Sequence, residues 1–190
     1  MRYVICWLFM IMPGISSAIE TPDYSILDDL GDSVEIRNYP SFTMVRVSRS
    51  DLGAGSDNQF FRPLAGYIFG DNSRNEKIAM TAPVAQTMVS GEAQDMAFFL
   101  PRSLVDPPEP DNSDVALLSG EMTVAALRYK GGWSIRKFER ARAQLEEKLA
   151  GQQAWRIVGN AIWARYNSPF SVPAFRTNEV LIPVERVSEN

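Results

Sequence analysis

EKIAMTAPVAQTM, residues 76–88, decides how this chain is read. It is apolar enough for a strand and alternates two faces, Ile78-Met80-Ala82-Val84 against Lys77-Ala79-Thr81-Pro83. Its side chains are small for a strand that only fills a core, where Val, Ile and Phe are commoner. Pro83 has no N–H for a sheet ladder, so it marks an edge or a bulge. The stretch is expected to be a strand over 76–88, mostly scaffold. Its small residues let a helix or a flat ligand approach closely, with Lys77 and Met80 nearest a groove.

The pattern on either side supports a strand. Upstream, 57–69 carries Phe60, Phe61, Leu64, Tyr67 and Ile68 at helical spacing, with Pro63 inside and Gly70 as a stop. Ser56 and Gln59 have the spacing of a capping box. Before it, SFTMVRVS (41–48) alternates as a strand, Asn38-Tyr39-Pro40 reads as a turn, and 24–27 with 34–36 reads as a hairpin. Downstream, 96–100 and 122–129 are strands separated by a Pro- and acid-rich loop. Ser134 is placed to cap a helix over 134–150, with Ile135, Phe138, Ala141, Leu145 and Leu149 on its apolar face and Gly151 at its end. Its charged residues, Arg136, Arg140, Glu146, Glu147 and Lys148, read as a solvated face. Residues 155–166 are one or two strands and 179–184 a last one. The order is strand-helix-strand-strand, twice. Two such units pair most simply into an α+β fold, a mostly antiparallel sheet or open barrel with both helices on one side.

Composition narrows the chemistry. The 190 residues suffice for one domain with a sizeable core. The net charge of −4 argues against a nucleic-acid partner, which needs a basic surface. There is no histidine, and Cys6 is the lone cysteine. Zinc sites built from Cys and His, Ser-His-Asp triads and internal disulfides are therefore excluded. Residues 1–18 read as a secretory signal: Arg2, the nine-residue apolar run VICWLFMIM (4–12), then Ser16-Ser17-Ala18. Cleavage is expected after Ala18, giving an exported single domain over 19–190, periplasmic or secreted. The run is too short to span a bilayer, so no stable membrane span is expected once it is removed. The alternative is an uncleaved anchor or a buried first strand.

FRPLAGYIFGDNSRNEKIAMTAPV (61–84), YNSPFSVPAFRTNEVLIPVE (166–185) and YSILDDLGDSVEIRNYP (24–40) resemble the SOUL heme-binding protein family, here as a bacterial, exported member. The likeness covers essentially the whole mature chain. It implies a distorted antiparallel barrel-like sheet with two helices, from a duplicated strand-helix-strand-strand unit. It also implies reversible binding of heme or another tetrapyrrole in a groove between the first helix and a loop near the C-terminus, here 57–69 and 167–176. The fold further resembles the effector-binding domains of gyrase-inhibitor-like proteins, which bind diverse apolar ligands and include some hydrolases. Family members that ligate iron through histidine have no counterpart here; iron is then either unligated by the protein or held by one of Met44, Met80, Met88, Tyr67, Tyr166 and Lys77.

On this reading Phe60, Phe61, Leu64 and Ile68 form one wall of the groove, and Phe170, Val172 and Phe175 the other. Arg62, Lys77 and Arg176 are rim cations for the propionates, and Met80 an adaptable contact. Each has a plainer reading. The helix apolars pack on their sheet, and the cations are solvated or paired. Phe60 and Phe61 lie about 100° apart on a helix, so one of them is free to face outward. A carrier, buffer or scavenger is the function expected, not an enzyme. The alternatives are a hydrolase or tetrapyrrole-modifying enzyme using Glu179 and Tyr166, or a binder of another apolar ligand. Glu179 reads more simply as a strand-end residue paired with Arg176 or Arg165.

Overall fold

The computed structural model describes residues 19–52 and 57–187. The expected export signal and Ser56 lie outside the described residues. In order come β1 Ser25–Gly31, β2 Val34–Ser48, the single turn α1 Arg49–Leu52, α2 Asp57–Phe69, β3 Val84–Val89, β4 Glu92–Phe99, β5 Val115–Lys130, α3 Ile135–Ala150, β6 Trp155–Ile157, β7 Ile162–Arg165 and β8 Thr177–Arg186. All strand pairs are antiparallel.

The expected duplication organises the sheet. The order β2-β4-β3 in the first half matches β5-β8-β7 in the second. The halves join twice, β2 to β5 and β3 to β7, so each covers the other's edges and six strands close into a barrel. β1 is added outside β2, and β6 outside β8. Two hairpins use two-residue turns with positive φ at both positions, Asp32-Ser33 and Ser90-Gly91, which match the twist of the strands they join.

The strand period of two divides the side chains between two faces. Outward go Val34, Ile36, Val45, Val47, Met96, Phe98, Ala125, Leu127, Trp163, Val180 and Ile182, and both long helices pack there. α2 contributes Phe60, Leu64, Tyr67 and Ile68, and α3 contributes Phe138, Ala141, Leu145 and Leu149. Inward go Tyr39, Phe42, Met44, Ala85, Ala97, Phe99, Met122, Val124, Ala126, Ile162, Ala164, Tyr166 and Leu181. Among the described residues no helix is long and apolar enough to cross a membrane.

Several expectations need correction. Residues 76–83 are not strand; β3 starts at Val84. Their backbone donors go elsewhere: Ile78 N–H to Ile68 O at the end of α2 (2.9 Å), and Ala82 N–H to Glu20 O (2.8 Å). The expected turn at 38–40 is instead the middle of β2, which passes Pro40 by a register shift between Tyr39 and Phe42. β5 starts seven residues before the expected Met122, at Val115, because β2 supplies a partner for Val115 to Gly120. Residues 155–166 split into β6 and β7. Ser134 stands at the N-cap but its side chain makes no capping bond; its carbonyl accepts from Lys137 and Phe138. Ile135, expected on the buried face, is 44 % exposed.

Candidate functional site

Glu179 lies on the inner face of β8, fully buried. Its carboxylate accepts from Arg37 Nη1 (3.0 Å), Arg128 Nε (2.7 Å) and the Tyr166 hydroxyl (2.6 Å). Arg37 also donates to Glu35 (2.7 Å), and its guanidinium lies 4.4 Å from the Tyr24 ring. Burial opposes the charge on Arg37, but Glu179 and then Glu35 more than offset it and hold its pKa above the ordinary value. Burial first, then the Glu179 charge, pushes the Tyr166 phenol well up, so it stays a neutral donor. The expected pairing of Glu179 with Arg176 or Arg165 does not occur. Arg165 stands opposite Asn178, one residue from Glu179, and therefore faces the other side of the sheet.

Residues 19–24 cross the barrel mouth. Glu20 bridges Thr81, and its carboxylate accepts from the backbone N–H (2.9 Å) and Nε (3.2 Å) of Arg102, which also pairs with Asp23. A cleft of about 690 Å³ opens beneath, walled by Phe42, Phe99, Leu100, Pro101 and Leu104. That lies within the roughly 300–1,000 Å³ of small-molecule sites. Its charged residues are Glu20, Asp23 and Glu121 against Arg102 alone. A second cleft, about 260 Å³, shares Thr21 and Pro22 with the first and reaches Arg128 and Tyr166. None of the ten groove residues expected from sequence lines either cleft.

The outer face holds the third arrangement, a trough between α2 and the 167–176 loop. Phe98, Val84 and Arg165 stand side by side on β4, β3 and β7, a floor about 10 Å across at the usual strand spacing. At one end Phe61 of α2 meets Phe98 edge-on, ring centroids 5.4 Å apart. At the other, Arg165 lies 5.1 Å from the centre of the Trp133 ring and Arg176 lies 4.4 Å from it. Arg176 also donates to Ser171 O and Pro169 O, which braces the loop it belongs to. Trp133 Nε1 is buried with no hydrogen-bond partner among the described residues.

The expected site residues divide accordingly. Phe60, Leu64 and Ile68 do not wall a groove: they are at most 2 % exposed, because the apolar stripe of α2 packs down onto the sheet. Phe61, at 42 %, is the one of the pair that faces outward. Arg62, Lys77 and Met80 are exposed, the last two on the segment leading from α2 to Val84. Arg176 closes the far end over Trp133, and its neighbour Phe175 is 75 % exposed. Phe170 is 95 % exposed at the loop's tip and belongs to neither wall. Sequence reasoning missed Trp133, which stands in the connection between β5 and α3, and missed the places of Arg165, Arg37 and Arg128 because they depend on strand register.

The family model described as "SOUL heme-binding protein" matches residues 19–183. Human heme-binding protein 2 is 31 % identical over 179 residues, covering 87 % of this chain and 86 % of that protein. Its mouse counterpart is 30 % identical, covering 86 % and 85 %. Among solved structures, the EcmrR C-terminal domain superposes with a TM-score of 0.57 at 11 % identity over 81 % of this chain and 98 % of that one. A hydrolase from Listeria innocua superposes with 0.56, also at 11 %, over 80 % and 92 %. At that identity the structural likeness shows the fold alone.

Proposed function

Because the chain belongs to the SOUL heme-binding protein family, we propose that it binds heme or a related tetrapyrrole reversibly in the trough between α2 and the 167–176 loop. The observation that carries this reading is the Trp133 ring between two guanidinium groups at the end of an apolar floor. A porphyrin is a flat apolar disc with two carboxylates. It gains affinity from buried apolar area, at about 25 cal/mol per Å², and from cations at its edge. The trough supplies Phe61, Val84 and Phe175 for the faces, and Arg165, Arg176 and the unpartnered Trp133 N–H for the propionates. Arg62 and Lys77 are further exposed cations near its α2 side. The mouth cleft is large enough but carries three carboxylates against one arginine, which opposes a dianion.

With no histidine, iron is either unligated by the protein or held by sulfur, phenol or amine. Tyr67 is buried, its phenol donating to Pro108 O, and Tyr166 is held by Glu179. Met88 is buried and Met44 half-buried on the inner face. That leaves Met80 and Lys77 as the exposed members of the set.

The chain is read as an exported carrier, buffer or scavenger and not as an enzyme. Its first eighteen residues support export. The three donors on Glu179 tell against a hydrolase reading, since a carboxylate so engaged has little capacity left for proton transfer. Hemin titration followed in the Soret band tests the reading. Saturable binding near one equivalent is expected, weakened at least tenfold by Phe61→Asp or Phe175→Asp, one on each wall. No saturable change at micromolar hemin, or affinities indifferent to both substitutions, overturns it.

A further inference from the structure

We propose that the end of the molecule built from residues 130–140 and 167–176 docks onto an anionic lipid bilayer, with the Phe170–Val172 tip entering the interface and a collar of cations lying at the headgroups. The inference is independent of the tetrapyrrole reading. It starts from charge. Residues 130–138 and 167–178 hold Lys130, Arg136, Lys137 and Arg176 and no Asp or Glu. At the chain's 23 acids in 190 residues, these 21 residues would hold about two or three. In an acidic protein, such segregation marks a surface that meets negative charge.

The fold brings the segments together. The N–H of Gly131 donates to Arg176 O (3.0 Å), and Pro173 packs against Gly132. Lys137 lies over Gly131, whose φ of +130° requires glycine. Lys130 reaches Thr177, and Arg136, Lys137 and Arg140 have no carboxylate partner among the described residues. Two acids stand near the collar. Glu139 shares Arg142 with Glu146, and Glu92 follows the Ser90-Gly91 turn that touches Ile135. The loop SPFSVPAF presents Phe170, Val172 and Phe175, all exposed, and Ile135 at the start of α3 is exposed as well. Arg176 and two prolines brace this loop, so little ordering entropy opposes insertion. A rigid apolar tip ringed by unpaired cations fits the boundary between acyl chains and acidic headgroups, where apolar burial and electrostatic attraction add.

Flotation of the full chain with vesicles tests this. Binding is expected to vesicles with 30 % phosphatidylserine or phosphatidylglycerol, and not to pure phosphatidylcholine. Each cation near such a surface is worth roughly fivefold in affinity, so Arg136→Glu with Lys137→Glu and Arg140→Glu is expected to weaken binding at least a hundredfold. Phe170→Ser is expected to weaken it severalfold while leaving the hemin titration unchanged. Any contribution of residues 1–18 is common to all variants and cancels. Phe170→Trp supplies a second readout, a blue-shifted emission quenched by brominated lipid. Equal binding to neutral vesicles, indifference to the charge reversals, or an unshifted emission from the Phe170→Trp variant overturns the proposal, as does a tip that binds only a protein partner.

Discussion

Replacing Glu179 by glutamine tests what the inner-face network is for. The substitution keeps size and one acceptor but removes the charge between two guanidinium groups. Arg128 is half exposed and recovers hydration, so its loss is small. Arg37 is only 3 % exposed and keeps Glu35 alone. Removing one partner of a buried pair costs about 3–5 kcal/mol, mostly from the charge left behind. With Glu35 retained, the low end applies, about 3 kcal/mol. For a domain of this size that lowers the Tm by roughly 6–12 °C. Urea unfolding is the assay, with an unchanged slope showing that the same folded state is compared. The double variant Arg37→Met with Glu179→Leu is expected to recover most of the loss, because no buried charge remains. Hemin affinity of Glu179→Gln is expected to stay within about twofold, since the trough lies on the opposite face of the sheet. A loss below about 1 kcal/mol would falsify the view that the network is structural, and a collapse of hemin binding in a folded Glu179→Gln protein would move the ligand to the inner face.

Two further outcomes follow from the same geometry. Phe60→Ala is expected to cost about 3–5 kcal/mol in urea unfolding with little specific effect on hemin, whereas Phe61→Ala costs under about 1 kcal/mol and acts on hemin affinity, because only Phe60 is core; equal stabilities of the two variants contradict this. Glu20 has its pKa held below the ordinary value, first by the Arg102 backbone N–H, so its contribution is present above the ordinary glutamate value of about 4.3 and lost as pH falls through the lowered folded value. Amide exchange of Thr21 to Tyr24, referenced to β5, is expected to rise on acidification across that window, and a flat profile contradicts the assignment.

Much of this fold is legible in sequence because helix and strand differ in period. The three-and-four spacing of Phe138, Ala141, Leu145 and Leu149 set a helix face that the structure buries, and the order of periods revealed the duplication. What escaped were places where a distant partner overrides a local signal. Asn38-Tyr39-Pro40 has every mark of a turn, yet the closed barrel needs one long strand there and absorbs the proline as a bulge. Ser119-Gly120-Glu121 looks like a loop but pairs with β2. Residues 76–83 look like strand, yet the barrel has no open edge for them, so they run from α2 to the mouth and bond to Ile68 and Glu20.

The candidate site was legible to a different depth. Composition excluded histidine, while the resemblance carried by 61–84 and 166–185 implied a tetrapyrrole and a groove between α2 and the 167–176 loop. Which side chains stand between them depends on register, and register is set by pairs more than fifty residues apart, such as Val45 with Leu117 and Arg128 with Glu179. A shift of one residue exchanges the faces. Arg165 and Glu179 sit on adjacent strands, yet Arg165 joins Trp133 outside while Glu179 joins Arg37 inside. The pairing that looks obvious from charge and nearness in sequence is therefore forbidden by the pleat. That separation lets one sheet carry a buried ionic network on its inner face and place Arg165 beside Trp133 on its outer face.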